Sequence, residues 1–153
     1  MRMSSQSPTE LVTSSTGYLM LRLGEFLRER TETLLGQWNL SARDLRVLGF
    51  AAARSMSQRE LAEAAGLDRT TMVGVLDRLE SIGYARRERD EHDRRRFLVA
   101  VTEAGARTLE QAVAELATAQ ADFLAPFTPE ERRQFHAMVE RLFRAHDPSC
   151  DPA

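Results

Sequence analysis

Six arginines fall within eleven residues: Arg86, Arg87, Arg89, Arg94, Arg95 and Arg96. Guanidinium forks at that density suit bidentate hydrogen bonding to phosphate oxygens and to the edge of guanine. Four acids interleave with them, Glu88, Asp90, Glu91 and Asp93. A solvated hairpin closed by its own ion pairs is therefore a second reading of the same run. Catalytic chemistry has far less to stand on. The three histidines, His92, His136 and His146, are not near a candidate nucleophile in sequence. No G-x-S-x-G, P-loop, C-x-x-C or H-E-x-x-H pattern occurs, so an enzyme is not expected, and no cofactor either. His136 and Glu140 stand four apart, with Glu131 five residues before His136. A solvated helix face explains that set better than a metal site. The single cysteine, Cys150, lies among acids and prolines in the tail, a setting that disfavours the reactive thiolate.

The arginine run needs elements to present it, and the residues before it supply two short helices. Ser57 with Glu60 three residues later forms a capping box. Leu61, Ala62 and Ala65 then recur at helical spacing, and Gly66 offers the left-handed stop. Leu67 follows as an apolar plug, and Asp68 caps a second helix. Met72, Val75, Leu76, Leu79 and Ile82 share one face of it, and Gly83 ends it with Tyr84 folding back. Two helices about a glycine turn make a helix-turn-helix pattern, which taken alone is also an ordinary helical hairpin. After it, Ala85 to Arg89 and Arg96 to Val101 read as two strands, with Phe97, Val99 and Val101 on one side. A β-hairpin directly after a helix-turn-helix is a winged helix, whose tip can reach the minor groove or nearby phosphates.

At this point the chain resembles the multiple-antibiotic-resistance regulator (MarR) family of winged-helix transcription factors. The family's wing motif, D-x-R followed after a strand by an apolar residue, threonine, two residues and glycine, is matched. Here it is Asp93-Arg94-Arg95 and then Val101-Thr102-Glu103-Ala104-Gly105. The recognition-helix ending L-E-x-x-G before a basic strand is matched by Leu79-Glu80-Ser81-Ile82-Gly83 and Arg86-Arg87. The resemblance spans nearly the whole chain. One departure is Gly74, at a position where relatives often carry a basic residue; glycine removes that base contact.

At 153 residues, 42% hydrophobic and 29% charged, the composition is that of one soluble globular domain. No run is long enough to span a membrane and no signal peptide is recognisable, so a cytoplasmic protein is expected. One cysteine excludes an intrachain disulfide framework. All 21 basic residues are arginine, a bias that genomic base composition also produces. The net charge of −2 sits oddly with a nucleic-acid partner, but its distribution is uneven. Residues 84–96 hold six arginines and four acids, a balance of +2, while residues 108–153 hold four arginines and eight acids, a balance of −4. A dipolar molecule can present a positive face while remaining acidic overall.

The flanks read as amphipathic helix. Residues 1–12 are polar and expected to be frayed at the start. A long helix from Ser15 to Gly36 carries Leu19, Leu23, Phe26, Leu27 and Leu34. Ser41 with Asp44 forms another capping box, starting a helix to Arg54 that buries Leu45, Leu48 and Phe50. Thr102 caps a helix from Glu103 to Leu124 with Leu109, Val113, Leu116, Gln120 and Phe123 on its apolar face. Pro129 at a first helical position, with Glu130 and Glu131 in the first turn, restarts a last helix bearing Phe135, Met138, Val139, Leu142 and Phe143. This is more apolar surface than a small winged-helix core can cover.

These readings converge on a mainly α fold with a small β-wing, a winged helix-turn-helix flanked by dimerisation helices. Residues 1–40 and 103–147 would supply the dimerisation helices, 41–102 the winged helix-turn-helix, and 148–153 a tail. The resemblance implies a homodimeric regulator of transcription, a repressor, on a pseudo-palindromic double-stranded DNA. Two recognition helices would lie about one DNA turn apart, ~34 Å. Expected base contacts come from Arg69, Thr70 and Thr71, and phosphate contacts from Ser57, Gln58 and Arg78, with Arg86 a further DNA-binding candidate. Arg94 and Arg95 stand at the wing tip, with Asp93 orienting Arg95. The resemblance further implies an aromatic or anionic small-molecule effector between the dimerisation helices and the winged region, where Tyr18, Phe26, Trp38 and Phe50 are candidate contacts; plain core residues are the rival account of these four. Peroxide sensing through a first-helix cysteine, seen in some relatives, has no cysteine here to use. The rival function is a winged-helix module used only for protein–protein assembly.

Overall fold

A computed structural model describes residues 7–147 apart from 91, 92 and 94–96. The elements in chain order are α1 (Pro8–Thr13), α2 (Thr16–Leu35), a short 3₁₀ turn (Gly36–Trp38), α3 (Ala42–Ala53), β1 (Met56–Ser57), α4 (Gln58–Ala65), α5 (Arg69–Ser81), β2 (Ala85–Arg89), β3 (Phe97–Val101), α6 (Glu103–Phe123) and α7 (Pro129–His146). They form two compact units, Met1–Leu116 and Ala117–Ala153.

The helix starts lie where the caps place them. The hydroxyls of Ser41, Ser57 and Thr128 accept the backbone N–H three residues on, and the carboxylates of Asp44, Glu60 and Glu131 reach back to complete capping boxes. Ser7 and Glu10 make a further box, with Pro8 in the first turn. It starts α1 at Pro8; the first six residues, where fraying is expected, lie outside the described residues. The stops are equally local. Gly66 sits at φ 61°, and Leu67 N–H then reaches the Ala62 carbonyl at 2.9 Å. Gly83 sits at φ 80°, with Tyr84 N–H donating to the Leu79 carbonyl at 2.9 Å and Gly83 N–H to that of Glu80 at 3.0 Å. That pair of bonds is a Schellman ending.

The sheet has three strands in the order β1-β3-β2, all antiparallel, and so is more than the two-stranded ribbon expected. β1 pairs Met56 with Val99, and β2 pairs Arg87 with Val99 from the other side. Of the β3 residues expected to share a buried side, Val99 is buried and Val101 half-buried, but Phe97 is 50% exposed at the wing end.

The core of the first unit is built by Leu35, Val47, Leu48, Leu61, Met72, Leu76 and Leu79, all fully buried. Each contributes about 1.5–3 kcal/mol of burial. In α3 the buried set is Asp44, Val47, Leu48 and Ala51, while Leu45 and Phe50 are only half-buried. In α6 the buried residues are Gly105, Thr108 and Ala112, and Val113 is exposed, so the face used is rotated from the expected Leu109–Val113 stripe. In the second unit, α7 packs its start against Phe127, whose ring centroid lies 5.4 Å from that of Phe135. None of the described helices is long and apolar enough to cross a membrane.

Candidate nucleic-acid interface

Helices α4 and α5 and the wing strands converge on one groove, lined among others by Gln58, Arg59, Leu67, Arg69, Met72 and Phe97. Its geometry is set by capping bonds. Asp68 accepts the backbone N–H of Thr71 at 2.9 Å on one oxygen and the Thr71 hydroxyl at 2.5 Å on the other. These bonds, the hydroxyl first, hold the Asp68 carboxyl below its ordinary pKa, so it is charged at neutral pH. Thr71 has thereby spent its single donor and faces outward only as an acceptor. Arg69 and Thr70, the first two residues of α5, are exposed.

Ser57 behaves in the same way. Its hydroxyl and its backbone N–H both donate to Glu60, each at 2.7 Å. Its hydroxyl proton is thus engaged within the cap and not presented to a phosphate. Gln58, the first residue of α4, is half-buried.

Arg78 leaves the groove side of α5. Its Nε lies 3.3 Å from Oδ2 of Asp44 and its Nη2 donates to the Asn39 carbonyl at 2.5 Å. Asn39 holds the left-handed conformation, φ 56°, that turns this carbonyl toward the helix. Arg78 is an anchor of α5 on α3 that still leaves half its side chain in solvent.

The wing arginines divide their work. Arg87 donates its backbone N–H to Glu80 at 2.7 Å, its guanidinium to the same carboxylate, and Nη2 to Asp77 at 2.8 Å. It ties β2 to the end of α5, which explains the glutamate of the L-E-x-x-G pattern. Arg86 pairs with Glu88, two residues along the same side of the strand. The Arg89 guanidinium lies 5.5 Å from the centre of the Phe97 ring. The internal ion pairs of the second reading are therefore real for Arg86, whereas Arg87 pairs with acids of α5. Asp93 is exposed, while Arg94 and Arg95 lie outside the described residues.

Behind the wing, Thr102 joins α5 to α6. Its backbone N–H donates to the Tyr84 carbonyl at 3.0 Å, its hydroxyl donates to the Gly83 carbonyl at 2.7 Å, and the same hydroxyl accepts the Gly105 N–H at 3.0 Å. A Cβ on Gly105 would stand 2.1 Å from the Tyr84 carbonyl oxygen. The threonine and glycine of the motif are thus a docking joint between the helix-turn-helix and α6.

The four candidate effector contacts fall into two pairs. Trp38 and Phe50 are half-buried and pack on the core. Tyr18 and Phe26 lie exposed on α2, Phe26 with the Arg22 guanidinium 5.1 Å from its ring centre.

Comparison with known proteins agrees with this geometry. The family model described as MarR family matches residues 38–96. The HTH-type transcriptional repressor Mb2911 of Mycobacterium bovis is 30% identical over 127 residues, covering 82% of this chain and 91% of that protein. The chain belongs to the MarR family. CouR from Rhodococcus jostii RHA1, in a crystal structure bound to p-coumaroyl-CoA, is 29% identical with a TM-score of 0.74, covering 94% of this chain and 97% of its own. A structure of the transcriptional repressor CouR bound to a 23-mer DNA duplex shares the fold at 24% identity, with a TM-score of 0.78 over 92% of this chain and 100% of its own. The family match runs through α3, the helix-turn-helix and β2 and stops before β3, and the similarity to CouR covers 94% of this chain. As a MarR-family chain this is a transcriptional regulator, and its similar proteins are named as regulators, not enzymes. Asp44 and Glu80 are the site-supporting residues that pattern reading did not single out. Their signals were present, as the capping box of α3 and the L-E pair of α5.

Proposed function

We propose that this protein is a homodimeric repressor that binds a pseudo-palindromic duplex and is modulated by a small effector. The observation that carries it is the exposed first turn of α5, Arg69 and Thr70, presented beside the groove by a capped helix-turn-helix with the wing at its edge. The N-terminal residues of the second helix are those that reach base edges in this motif. Arg59 on α4 and Arg86 on β2 are further exposed guanidinium groups, paired in the free protein with Glu63 and Glu88. Arg94, Arg95 and Asp93 belong to the tip that would enter the adjacent minor groove.

The dimer reading is supported by both flanks. Leu19, Met20, Leu21, Leu23 and Phe26 of α2 are exposed, as are Phe135, Met138, Val139, Leu142 and Phe143 of α7. Apolar surface of this kind on a helix marks an interface. A C2 dimer would set two recognition helices about one DNA turn apart. The effector reading is supported by CouR, whose ligand is aromatic and anionic. Such a ligand acts only if it favours the spacing that DNA does not.

Protection mapping on the DNA upstream of the protein's own gene tests the function directly. Light scattering at micromolar concentration should give about twice the 17.3 kDa chain mass. With roughly six to ten phosphate contacts, log affinity should fall against log salt with a slope of about −5 to −9. A slope near zero would favour the rival, a winged helix used only for protein assembly.

A further inference from the structure

Helix α5 is divided sharply by burial. Met72, Val75, Leu76 and Leu79 enter the core. Thr70, Val73, Gly74 and Asp77 follow one another at three- and four-residue spacing on the opposite side, and all four are exposed. Val73, an apolar β-branched side chain in the middle of the helix, is 37% exposed. A Cβ on Gly74 would meet nothing within 4 Å. Internal packing therefore does not require glycine there, although glycine weakens a helix interior. The cations that could have joined this strip are elsewhere. Arg69 precedes it, and Arg78 is turned back onto Asp44 and Asn39. At the far end Asp77 is held by Arg87. Thr71, beside the strip, donates its hydroxyl hydrogen bond to Asp68.

Between Thr70 and Asp77 the strip thus offers two branched, methyl-bearing side chains and a bare stretch of backbone. It has no fork for guanine and no amide for adenine. The feature of the major groove complementary to an apolar surface is the thymine C5-methyl group. The missing side chain at Gly74 allows the helix backbone to approach the base edges closely enough for that contact. We propose that Thr70, Val73 and Gly74 form a specificity surface that selects thymine methyl groups, so that the centre of each half-site is read through A·T pairs by apolar contact. This rests on the reading of α5 as a major-groove helix.

The test uses the full chain. Duplexes are selected from a random pool at near-physiological salt, and the selected half-site is resynthesised with deoxyuridine for thymidine, which removes only the methyl groups. A·T pairs should dominate the half-site centre. Each contacted methyl removed should weaken binding about fourfold, the effect of one buried methylene. Val73→Ala should bind the thymidine duplex less tightly and respond less to uridine replacement, with melting unchanged. Gly74→Arg should shift the selected sequences toward G·C pairs. Uridine duplexes bound as tightly as thymidine ones, with sequence selection intact, would overturn this proposal and leave the DNA reading standing. A Val73→Ala variant whose mass in solution changes while its thymidine-to-uridine ratio does not would assign the strip to a protein contact instead. Failure to enrich any duplex would overturn the DNA reading itself, and this proposal with it.

Discussion

Arg78 of α5 and Asp44 of α3 meet with Nε 3.3 Å from Oδ2, and the carboxylate they share is almost completely buried, 3% exposed. Asp44 also accepts the Ser41 backbone N–H at 2.8 Å, so one carboxylate both starts α3 and holds the second helix of the pair. Arg78→Ala should cost about 1–2 kcal/mol, less than a fully buried pair because the arginine is half in solvent. Denaturant midpoints of the two single variants and the double variant give the coupling. A value near zero would reduce the contact to an ordinary surface pair.

Gly105 is a second joint. Its missing Cβ makes room for the Tyr84 carbonyl, and that oxygen belongs to backbone already bonded to Thr102. Gly105→Ala should therefore destabilise by about 3 kcal/mol or more, at the upper end of overpacking effects. Urea unfolding measures it. An alanine variant of parental stability would mean that α6 shifts freely at its start.

Acid should loosen the start of α5. The Asp68 carboxyl is held below the ordinary carboxylate range, first by the Thr71 hydroxyl and then by Thr71's backbone N–H. A depressed carboxyl stabilises the folded state above its unfolded pKa, and that stabilisation is lost as pH falls through the lower folded value. Asp68→Asn keeps an acceptor but not the charge. The stability gap between parent and variant should stay constant above about pH 5 and narrow below pH 4. A gap independent of pH down to the acid limit would show that the charge is not what the cap uses.

Arg95 tests the wing, although it lies outside the described residues. Arg95→Ala should lower operator affinity by about 1–3 kcal/mol while Tm moves by no more than about two degrees. Lysine should restore only part, lacking the planar fork. Undiminished binding by the alanine variant, titrated on labelled duplex at fixed salt, would leave DNA contact to the helices alone.

Pattern reading found what local physics controls. The caps at Ser41, Ser57, Asp68 and Thr128 and the left-handed stops at Gly66 and Gly83 depend on residues within a turn or so of one another. They delimit the helix-turn-helix and the starts of α3 and α7, while the wing strands and α2 are legible from the spacing of their apolar residues. The short α1 was legible by the same rule, through Ser7, Pro8 and Glu10, and was passed over because the surrounding residues are polar.

What tertiary structure decided is the partner of each polar group and the face each helix buries. Six arginines in eleven residues read alike in sequence, yet folding turns Arg87 onto Glu80 and Asp77 while Arg86 pairs along its own strand. Arg78 reads in sequence as a phosphate contact, and only folding, which brings α3 beside α5, adds a buried carboxylate as its partner. Met56 and Ser57 become a strand only because β3 arrives next to them from the far side of two helices. On α6, helical spacing allowed the Leu109–Val113 stripe, but a close approach to Tyr84 demands the side that has no side chain, at Gly105, and so rotates the buried face to Thr108 and Ala112. Spacing fixes which residues share a face, but which face is covered depends on the shape of a neighbour that is distant in the chain.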